Sequence, residues 1–244
     1  MQATLQVIGL SKNYNEKNAV KDISFKLNKN EIIGILGPNG CGKTTTIGMI
    51  LGLLKPTSGK ILINGIEIEK NRVQLLNNLN FISPYIELPK KLTVKQNLIV
   101  YGKLYDIKDL KKKIEYLSEK LRLGDIINKL TGELSSGQKN RVSLAKSLIN
   151  KPEILLLDEP TASLDPDIGD FIRSYIQNYK SNNKVTILLA SHNMSEVERL
   201  CDSIIMMKKG KIIDSGTCQE LIKKHGRNNL EDTFLKLARS KNEF

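Results

Sequence analysis

The strongest chemical pattern in the sequence is a glycine-rich stretch, Gly37-Pro-Asn-Gly-Cys-Gly-Lys-Thr44, which matches GxxxxGK[ST] in full. Glycines allow backbone N–H groups to curl around phosphate oxygens, and a following helix adds the positive end of its dipole. Lys43 is predicted to reach the β- and γ-phosphates of a nucleotide, and the Thr44 hydroxyl to bind Mg²⁺. The predicted phosphate contacts come from Gly37, Pro38, Asn39, Gly40, Cys41, Gly42, Lys43, Thr44 and Thr45.

The sequence on either side of this loop decides between a phosphate site and a glycine-rich turn that binds nothing. The apolar run Ile32–Leu36 predicts a strand before the loop, and Thr45–Leu54 predicts an apolar helix after it. Strand, loop and helix in this order are the context that the motif requires, so the phosphate site is favoured. Cys41 is expected to contribute its backbone N–H group, with a catalytic thiol as the alternative.

Two adjacent carboxylates form a second pattern, in Ile154-Leu-Leu-Leu-Asp-Glu-Pro160. The apolar run predicts a buried strand, so Asp158 and Glu159 come at its tip. Asp158 is predicted to hold the hydration shell of Mg²⁺, and Glu159 to face the attacking water as general base. The alternative is an acid pair that caps the next helix, and the phosphate loop in the same chain argues against it.

The elements that must position these residues follow from the apolar pattern. Continuous apolar strands are typical of a parallel sheet that is covered on both faces. Runs of this type are Ile32–Leu36, Ile154–Leu157 and Val185–Ala190. Shorter strands separated by turns are predicted nearer the N-terminus, at Leu5–Ile8, Ser24–Leu27 and Ile61–Ile63. Because the buried strands alternate with helical patterns, the sequence predicts an α/β fold.

The middle of the chain, about residues 85–150, has a different character. It is rich in Lys and Leu, and its apolar residues have helical spacing in Leu110–Leu123 and Val142–Ile149. We therefore expect a helical subdomain inserted into an α/β domain of residues 1–220, followed by a short helical tail of residues 221–244. The tail is polar, its helix is expected through Asp232–Arg239, and His225 is expected at the surface.

The composition limits which class of protein this chain can be and which kind of partner it can bind. The 244 residues are 40% hydrophobic and 26% charged, an ordinary globular balance that excludes extensive disorder. The net charge of +12 favours an anionic partner, and residues 89–151 contribute 15 Lys or Arg against 6 Asp or Glu. That basic surface is either simply solvated or lies beside anionic lipid headgroups. Aromatic residues are 5% and Trp is absent, which argues against a base-stacking surface for nucleic acid.

The cysteines and the apolar runs indicate the cellular compartment in which the chain is expected. Cys41, Cys201 and Cys218 are widely spaced and form no CxxC pair, which argues against a disulfide framework or a zinc site. No signal peptide is visible, and the longest apolar run, Ile47–Leu54, is far shorter than the roughly 20 residues that a transmembrane helix needs. We therefore expect a soluble, cytoplasmic chain, with any membrane span supplied by another chain.

Further motifs resemble those of a known family. Leu134-Ser-Ser-Gly-Gln-Lys-Asn-Arg141 closely resembles the LSGGQ signature of ABC-type ATPases. Ser163-Leu164-Asp165 looks like the D-loop of that family, His192 like its switch histidine, and Tyr14 like its adenine-stacking aromatic residue. The motifs come in family order and extend from Tyr14 to Gly216. A mononucleotide kinase or a GTPase would have the phosphate loop without the signature.

The resemblance implies a fold and a shared active site. The implied fold class is α/β, a P-loop NTPase (RecA-like) core with N-terminal antiparallel β strands and an inserted α-helical subdomain. Two such domains, forming a homodimer or a heterodimer, close head to tail with two ATP molecules at the interface. The signature loop then touches the γ-phosphate held by the other domain, because a helix N-terminus suits an anion. The residues of this loop are Ser135, Ser136, Gly137 and Gln138.

The resemblance also implies roles for single residues. Asp165 would link the two ATP sites, and His192 would position the γ-phosphate and the attacking water. Tyr14 would stack on adenine, with an aromatic residue packed in the core as the alternative. For His192 the alternative is a histidine with a purely structural role. The implied cofactors are ATP and Mg²⁺.

One departure from the family pattern concerns a glutamine that usually follows the strand leading into the helical subdomain. In the family it contacts Mg²⁺ or water and senses the membrane partner. No Gln lies between Gln74 and Gln96, and Pro84 stands at the expected place. Tyr85 or Glu87 is the candidate substitute, and the sequence leaves the choice open.

The leading hypothesis for function is the ATP-binding and hydrolysing subunit of an ABC-type membrane exporter. Residues 83–94, SPYIELPKKLTV, and Asn229–Leu235 resemble exporter ATPases of the drug, antibiotic and polysaccharide branch. Such a chain is peripheral on the cytoplasmic face of the membrane and energises a separate transmembrane permease subunit.

Two other functions remain as alternatives. A soluble ABC ATPase acting on ribosomes or DNA fits the charge, but such relatives carry two domains or a long coiled coil, so nucleic acid is not the expected partner. A regulatory or lipoprotein-release assembly at the membrane differs from an exporter only in the identity of its membrane partner.

Overall fold

In the computed structural model, residues 3–15, 17–84 and 86–239 are described, with side chains to residue 237, and they form two β-sheets flanked by helices. The strands are β1 Ala3–Tyr14, β2 Lys17–Asn28, β3 Ile32–Leu36, β4 Ser58–Ile63, β5 Ile66–Glu67, β6 Leu79–Ile82, β7 Ile154–Asp158, β8 Thr186–Ser191, β9 Ser203–Lys208 and β10 Lys211–Gly216. The helices are α1 Lys43–Ile50, α2 Arg72–Asn77, α3 Val94–Leu104, α4 Leu110–Lys120, α5 Ser136–Ser147, α6 Pro166–Asn183, α7 Met194–Leu200, α8 Cys218–His225 and α9 Leu230–Arg239.

The larger sheet has the strand order β10-β9-β3-β8-β7-β6. Its strands β9, β3, β8, β7 and β6 are parallel, and β10 is antiparallel at the edge. Every residue of β3, β7 and β8 is buried, because helices and the second sheet cover both faces. The parallel sheet predicted from the continuous apolar runs is confirmed.

The register of this sheet places the functional loops together. Leu36 pairs with Ser191 across β3 and β8, and Asp158 pairs with Ala190 across β7 and β8. The carboxyl ends of these three strands therefore lie level with one another. The residues that follow them all emerge at one edge, which is where open α/β sheets bind their ligands.

The smaller sheet is antiparallel, with the order β2-β1-β4-β5, and it contains the N-terminal strands predicted from the sequence. Apolar residues of β1, β2 and β4 pack with α1 and with one face of the parallel sheet into a single core. The turn between β4 and β5 is formed by Asn64 and Gly65, both with positive φ, as expected for Asn-Gly in a hairpin.

Three helices, α3, α4 and α5, are inserted between β6 and β7 and share a second core with the other face of the parallel sheet. This confirms the fold class, a P-loop NTPase core with an inserted helical part. Helix α5 begins at Ser136, earlier than the apolar spacing from Val142 indicated, because Ser135 caps it. The phosphate-loop helix also differs from the prediction of Thr45–Leu54. It begins at Lys43 and ends at Ile50, since Gly52 (φ 66°) turns the chain.

The C-terminal helices α8 and α9 pack against α7 and β9 in a third cluster. The division of the chain at residue 220 stays a prediction, and that boundary falls inside α8. The expectation that His225 lies at the surface is wrong. Its side chain is only 15% exposed, and Nε2 lies 2.6 Å from Oδ2 of Asp214 on β10.

None of the helices in the described part of the chain is both long enough and apolar enough to cross a bilayer.

Candidate functional site

The phosphate loop connects β3 to α1 at the edge where the parallel strands end. Its backbone needs glycine at particular positions. Gly42 has φ 114°, and a Cβ there would lie 2.8 Å from the Ala19 carbonyl oxygen. A Cβ on Gly37 would lie 2.6 Å from the Met207 carbonyl oxygen. The sequence pattern therefore reflects close backbone packing that only glycine allows.

Lys43 lies inside this loop rather than in solvent. Its side chain is 6% exposed, and Nζ donates a hydrogen bond to the Gly37 carbonyl oxygen at 2.6 Å. Nζ also lies 3.9 Å from Oε1 of Glu159. The ammonium group is thus positioned at the mouth of the loop, between backbone carbonyls and the carboxylate that follows β7.

Cys41 donates a hydrogen bond from its backbone N–H to the Pro38 carbonyl oxygen at 3.2 Å within the phosphate loop, and its contact with phosphate stays a prediction. Its side chain is buried, and its carbonyl oxygen accepts a hydrogen bond from Gly210 N–H at 2.9 Å. Burial raises the pKa of the thiol, although the nearby Lys43 acts in the opposite direction. A thiol with a raised pKa is a poor nucleophile, so the structure does not support the catalytic alternative.

Asp158 is buried at the end of β7 with hydroxyl groups around its carboxylate. Thr44 Oγ1 donates to Asp158 Oδ2 at 3.1 Å, and Ser83 Oγ lies 3.4 Å from the same oxygen. Burial raises the pKa of the Asp158 carboxyl, and the hydrogen bond from Thr44 partly opposes this. Three side-chain oxygens therefore converge on one point, from Ser83 directly after β6, from Asp158 in β7 and from Thr44 in α1.

Glu159 and His192 are in direct contact. His192 Nδ1 lies 2.8 Å from Glu159 Oε1, with the imidazole 57% exposed and the carboxylate 12% exposed. Glu159 has a left-handed backbone (φ 50°), and its N–H donates to the Ala190 carbonyl oxygen at 2.8 Å. The carboxylates are not helix caps, since α6 begins only at Pro166 with Asp165 as its N-cap residue.

The signature loop lies at the N-terminus of α5. Ser135 Oγ accepts from the Gln138 N–H at 3.3 Å, and Gln138 Oε1 accepts from the Ser135 N–H at 3.0 Å. This capping box uses two donors, and helix geometry leaves the N–H groups of Ser136 and Gly137 without an intrahelical acceptor. Ser135 and Ser136 are exposed. Of these two positions Ser136 is exposed and Gly137 is buried, so the loop can present at least the Ser136 N–H group to an anion outside this chain.

Two other candidate residues are exposed. Tyr14 is 45% exposed, with Lys12 Nζ 5.1 Å from the centre of its ring. The alternative of an aromatic residue packed in the core is therefore excluded. Asp165 is exposed beyond the turn containing Ser163, which has a left-handed backbone. Both side chains are accessible to a ligand or to a second chain.

In the region of the missing glutamine, the residue that lies beside Asp158 among those the structure describes is neither of the two candidates. Tyr85 lies outside the described residues, and Glu87 forms an ion pair with Lys90 at 2.6 Å. The residue beside Asp158 is Ser83, which sequence analysis did not single out. The available signal was its position directly after β6, but only the pairing of β6 with β7 brings it to Asp158.

Asn140 is a second residue that the motifs did not reveal. Its Nδ2 donates to the Pro160 carbonyl oxygen at 2.6 Å, which joins α5 to the turn after Glu159. A cavity of about 420 Å³ lies between this contact and the phosphate loop. Its lining includes Asn39, Ser83, Leu88, Asn140, Glu159 and His192.

Comparison with known proteins identifies similar sequences and structures. The family model described as ABC transporter matches residues 20–162. The ABC transporter ATP-binding protein NatA of Bacillus subtilis (strain 168) is 37% identical over 225 residues, 91% of each chain. The Nod factor export ATP-binding protein I of Rhizobium johnstonii (strain DSM 114642 / LMG 32736 / 3841) is 38% identical over 89% of this chain and 70% of that protein. A solved structure of an ATP binding subunit of an ABC transporter has a TM-score of 0.88 and 26% identity, covering 96% of this chain and 99% of that one.

Proposed function

Because the chain belongs to the ABC transporter family, as an ATP-binding subunit and an ATPase, we propose that it energises export by a separate transmembrane subunit. One observation carries the proposed active site. Lys43, Asp158, Glu159 and His192 come from three separate segments, at the ends of β3, β7 and β8, and meet at the carboxyl edge of the parallel sheet. This arrangement combines phosphate binding with an acid–base pair.

The phosphate loop binds the triphosphate of ATP. The glycine-rich backbone and the N-terminus of α1 supply N–H donors, and Lys43 exchanges its carbonyl contacts for phosphate oxygens. The exposed ring of Tyr14 stacks on the adenine. The backbone N–H groups therefore bind the α- and β-phosphates, and the Lys43 ammonium group binds the β- and γ-phosphates.

The oxygen donors around Asp158 fit Mg²⁺. Magnesium prefers hard oxygen ligands and commonly uses one or two carboxylates together with phosphates and water. Thr44 and Asp158 would hold it, with Ser83 beside them. In the described residues no cluster of three His, Cys, Asp or Glu side chains could hold a metal ion. When bound, Mg²⁺ neutralises charge on the phosphate oxygens.

Glu159 is the proposed general base. Its carboxylate accepts a proton from the attacking water, and His192, hydrogen-bonded to Oε1, holds the carboxylate and the γ-phosphate in position. Lys43 at 3.9 Å contributes positive charge where negative charge develops on the phosphate.

A second nucleotide-binding chain completes the site. The exposed Ser135 and Ser136 and the free helix end of α5 face outward, so the γ-phosphate that they contact belongs to the partner. Asp165, also exposed, connects the two sites. The pair is a homodimer or a heterodimer, and closure with ATP followed by release after hydrolysis drives the transmembrane subunit.

Export is supported by the relatives. The Nod factor export ATP-binding protein I is named for export and aligns with 89% of this chain. The transmembrane subunit would be a separate chain that holds this one at the cytoplasmic face of the membrane. The basic helical part, with 15 Lys or Arg in residues 89–151, is suited to lie near anionic headgroups.

A detergent pull-down tests this function. The chain is expressed with an affinity tag in its native host, membranes are solubilised gently, and co-purifying proteins are identified. We expect a polytopic membrane protein without its own ATPase domain. Recovery of ribosomes or DNA with no membrane protein would contradict the transporter function, and a membrane partner without a transport pathway would contradict export.

A further inference from the structure

A buried carboxylate on α7 lies between the two loops that carry Glu159 and His192. Glu196 is 1% exposed, and each of its oxygens accepts one hydrogen bond. Thr161 Oγ1 donates to Oε1 at 2.6 Å, and Ser191 Oγ donates to Oε2 at 2.7 Å. Thr161 lies in the loop after β7 and Ser191 is the last residue of β8, so this single side chain joins segments 30 residues apart.

Together with the contact between His192 and Glu159, these two hydrogen bonds form a closed ring of contacts to which both reacting groups belong. Thr161 follows Glu159 by two residues, and Ser191 directly precedes His192. His192 Nδ1 then contacts Glu159 Oε1 at 2.8 Å on the far side of the ring. The backbone hydrogen bond from Glu159 N–H to the Ala190 carbonyl oxygen joins the same two segments, so the buried carboxylate adds a side-chain connection to a backbone one.

The loop before α7 is anchored a second time. Asn193 N–H donates to Ser191 Oγ at 3.1 Å, and Asn193 Oδ1 accepts from the Glu196 N–H at 3.2 Å. Ser191 thus accepts one hydrogen bond while it donates another to Glu196. The charged groups that face Glu196 are Glu159 and, from α6, Arg173.

Burying a carboxylate is costly unless its hydrogen bonds are made. The neighbours of Glu196 on α7, Val197 and Leu200, are apolar and buried, so packing alone would be satisfied by an apolar side chain at this position. Instead, each carboxylate oxygen of Glu196 accepts a hydrogen bond from one of the two segments that carry Glu159 and His192. This is the pattern expected of a residue that sets the orientation of others.

We propose that Glu196 is a positioning residue that keeps the Glu159 loop and the His192 loop in register through Thr161 and Ser191. The inference rests on the proposed roles of Glu159 and His192. Glu196 does not touch the nucleotide, so its effect is transmitted through the geometry of the pair. Small displacements of catalytic groups reduce rates strongly even when binding is intact.

The kinetic test uses Thr161→Val, which removes one donor and keeps the shape of the side chain. We expect kcat for ATP hydrolysis to fall about tenfold, with ATP affinity within about twofold of wild type. Glu196→Gln, which keeps one acceptor oxygen, should lower kcat as well. In the double variant the two effects should not multiply, because both act on the same connection from Thr161 through residue 196 to Ser191. Glu198→Gln, an exposed carboxylate on the same helix, is the matched control and should leave kcat unchanged.

A spectroscopic test does not depend on hydrolysis. The chain has two histidines, so the ring ¹⁵N resonances of His192 and His225 can be assigned. Thr161→Val and Glu196→Gln should shift the His192 Nδ1 resonance and leave that of His225 in place. An inactive wild type whose His192 resonance still responds would count against the proposed function, not against the positioning role. An unchanged His192 resonance in both folded variants, or equal losses of kcat and affinity, would overturn the proposal.

Discussion

At the scale of single residues, the site depends on the unusual backbone of Glu159. A non-glycine residue with left-handed φ costs about 1–2 kcal/mol, so its surroundings must hold it there. The hydrogen bond from its N–H to Ala190 does so, and it aims the carboxylate at His192 and toward Lys43. Local conformational strain is thus used to bring an acid, an imidazole and an ammonium group together.

Replacing Lys43 tests the phosphate site. Lys43→Ala removes the one buried ammonium among the site residues described above, so tight ATP binding should be lost. Isothermal titration calorimetry measures this directly, with Lys60→Ala, an exposed lysine on β4, as the control. Near-normal affinity in the Lys43 variant would refute the assignment of the loop.

Replacing His192 separates positioning from binding. His192→Ala should reduce ATP turnover by about tenfold or more while ATP affinity changes little, because the imidazole contacts Glu159 and not the phosphate loop. His225→Ala is the control, since it should lower stability and not turnover. Unchanged turnover in His192→Ala would return this histidine to a structural role.

At the scale of elements, strand order explains why separate motifs form one site. β3, β8 and β7 are neighbours in the sheet, although about 150 residues of sequence lie between β3 and β8. Helix α5 is tied to the same region by the hydrogen bond from Asn140 to Pro160. The helical insertion is therefore connected to the turn that follows the catalytic carboxylate.

The strands and motifs were predictable from the sequence to different degrees. Continuous apolar runs identified β3, β7 and β8, since burial on both faces leaves no polar alternation. The contacts of Ser83 and Glu196 were not predictable, because they depend on which strands pair and which loops meet. The exposure of Tyr14 and the partial burial of His225 likewise depend on tertiary packing, which local sequence does not specify.

The junction between β10 and α8 gives a prediction on stability. Burial alone raises the pKa of Asp214, but hydrogen bonds from Lys224 and His225 outweigh it and hold the pKa below its ordinary value. Asp214→Asn should lower the free energy of unfolding by about 1–3 kcal/mol at pH 7. The thermal midpoint should fall by about 2–4 °C per kcal/mol.

The pH dependence of this effect has a definite sign. A carboxyl with a lowered folded-state pKa stabilises the fold above its unfolded pKa, and the stabilisation is lost as pH falls through the folded value. The difference between wild type and Asp214→Asn should therefore shrink below about pH 4. Thermal unfolding followed by circular dichroism measures it, and Glu231→Gln is an exposed control on α9. A difference that grows in acid would contradict the role of Asp214.

At the scale of the whole molecule, one chain holds one phosphate loop, one carboxylate pair and one signature loop, and it presents the signature loop outward. The exposed positions of Ser135, Ser136 and Asp165 are the positions expected of residues that contact a second chain. A nucleotide at such an interface couples binding to association, because its phosphates contact both chains.

Association should therefore depend on ATP when hydrolysis is blocked. Glu159→Gln with excess MgATP should give a particle of twice the 27.4 kDa chain mass by light scattering, and the same variant without nucleotide should be monomeric. A 27.4 kDa particle in both conditions would contradict the pairing of two identical chains.

The most direct test of the account is the rate of ATP hydrolysis by Glu159→Gln, measured beside its affinity for ATP. The amide keeps the shape of the side chain but cannot accept the proton of the attacking water. We predict unchanged affinity and a rate at least about a hundredfold below wild type, the scale for loss of a general base. Hydrolysis at the wild-type rate would contradict the role of Glu159 and the mechanism built on it.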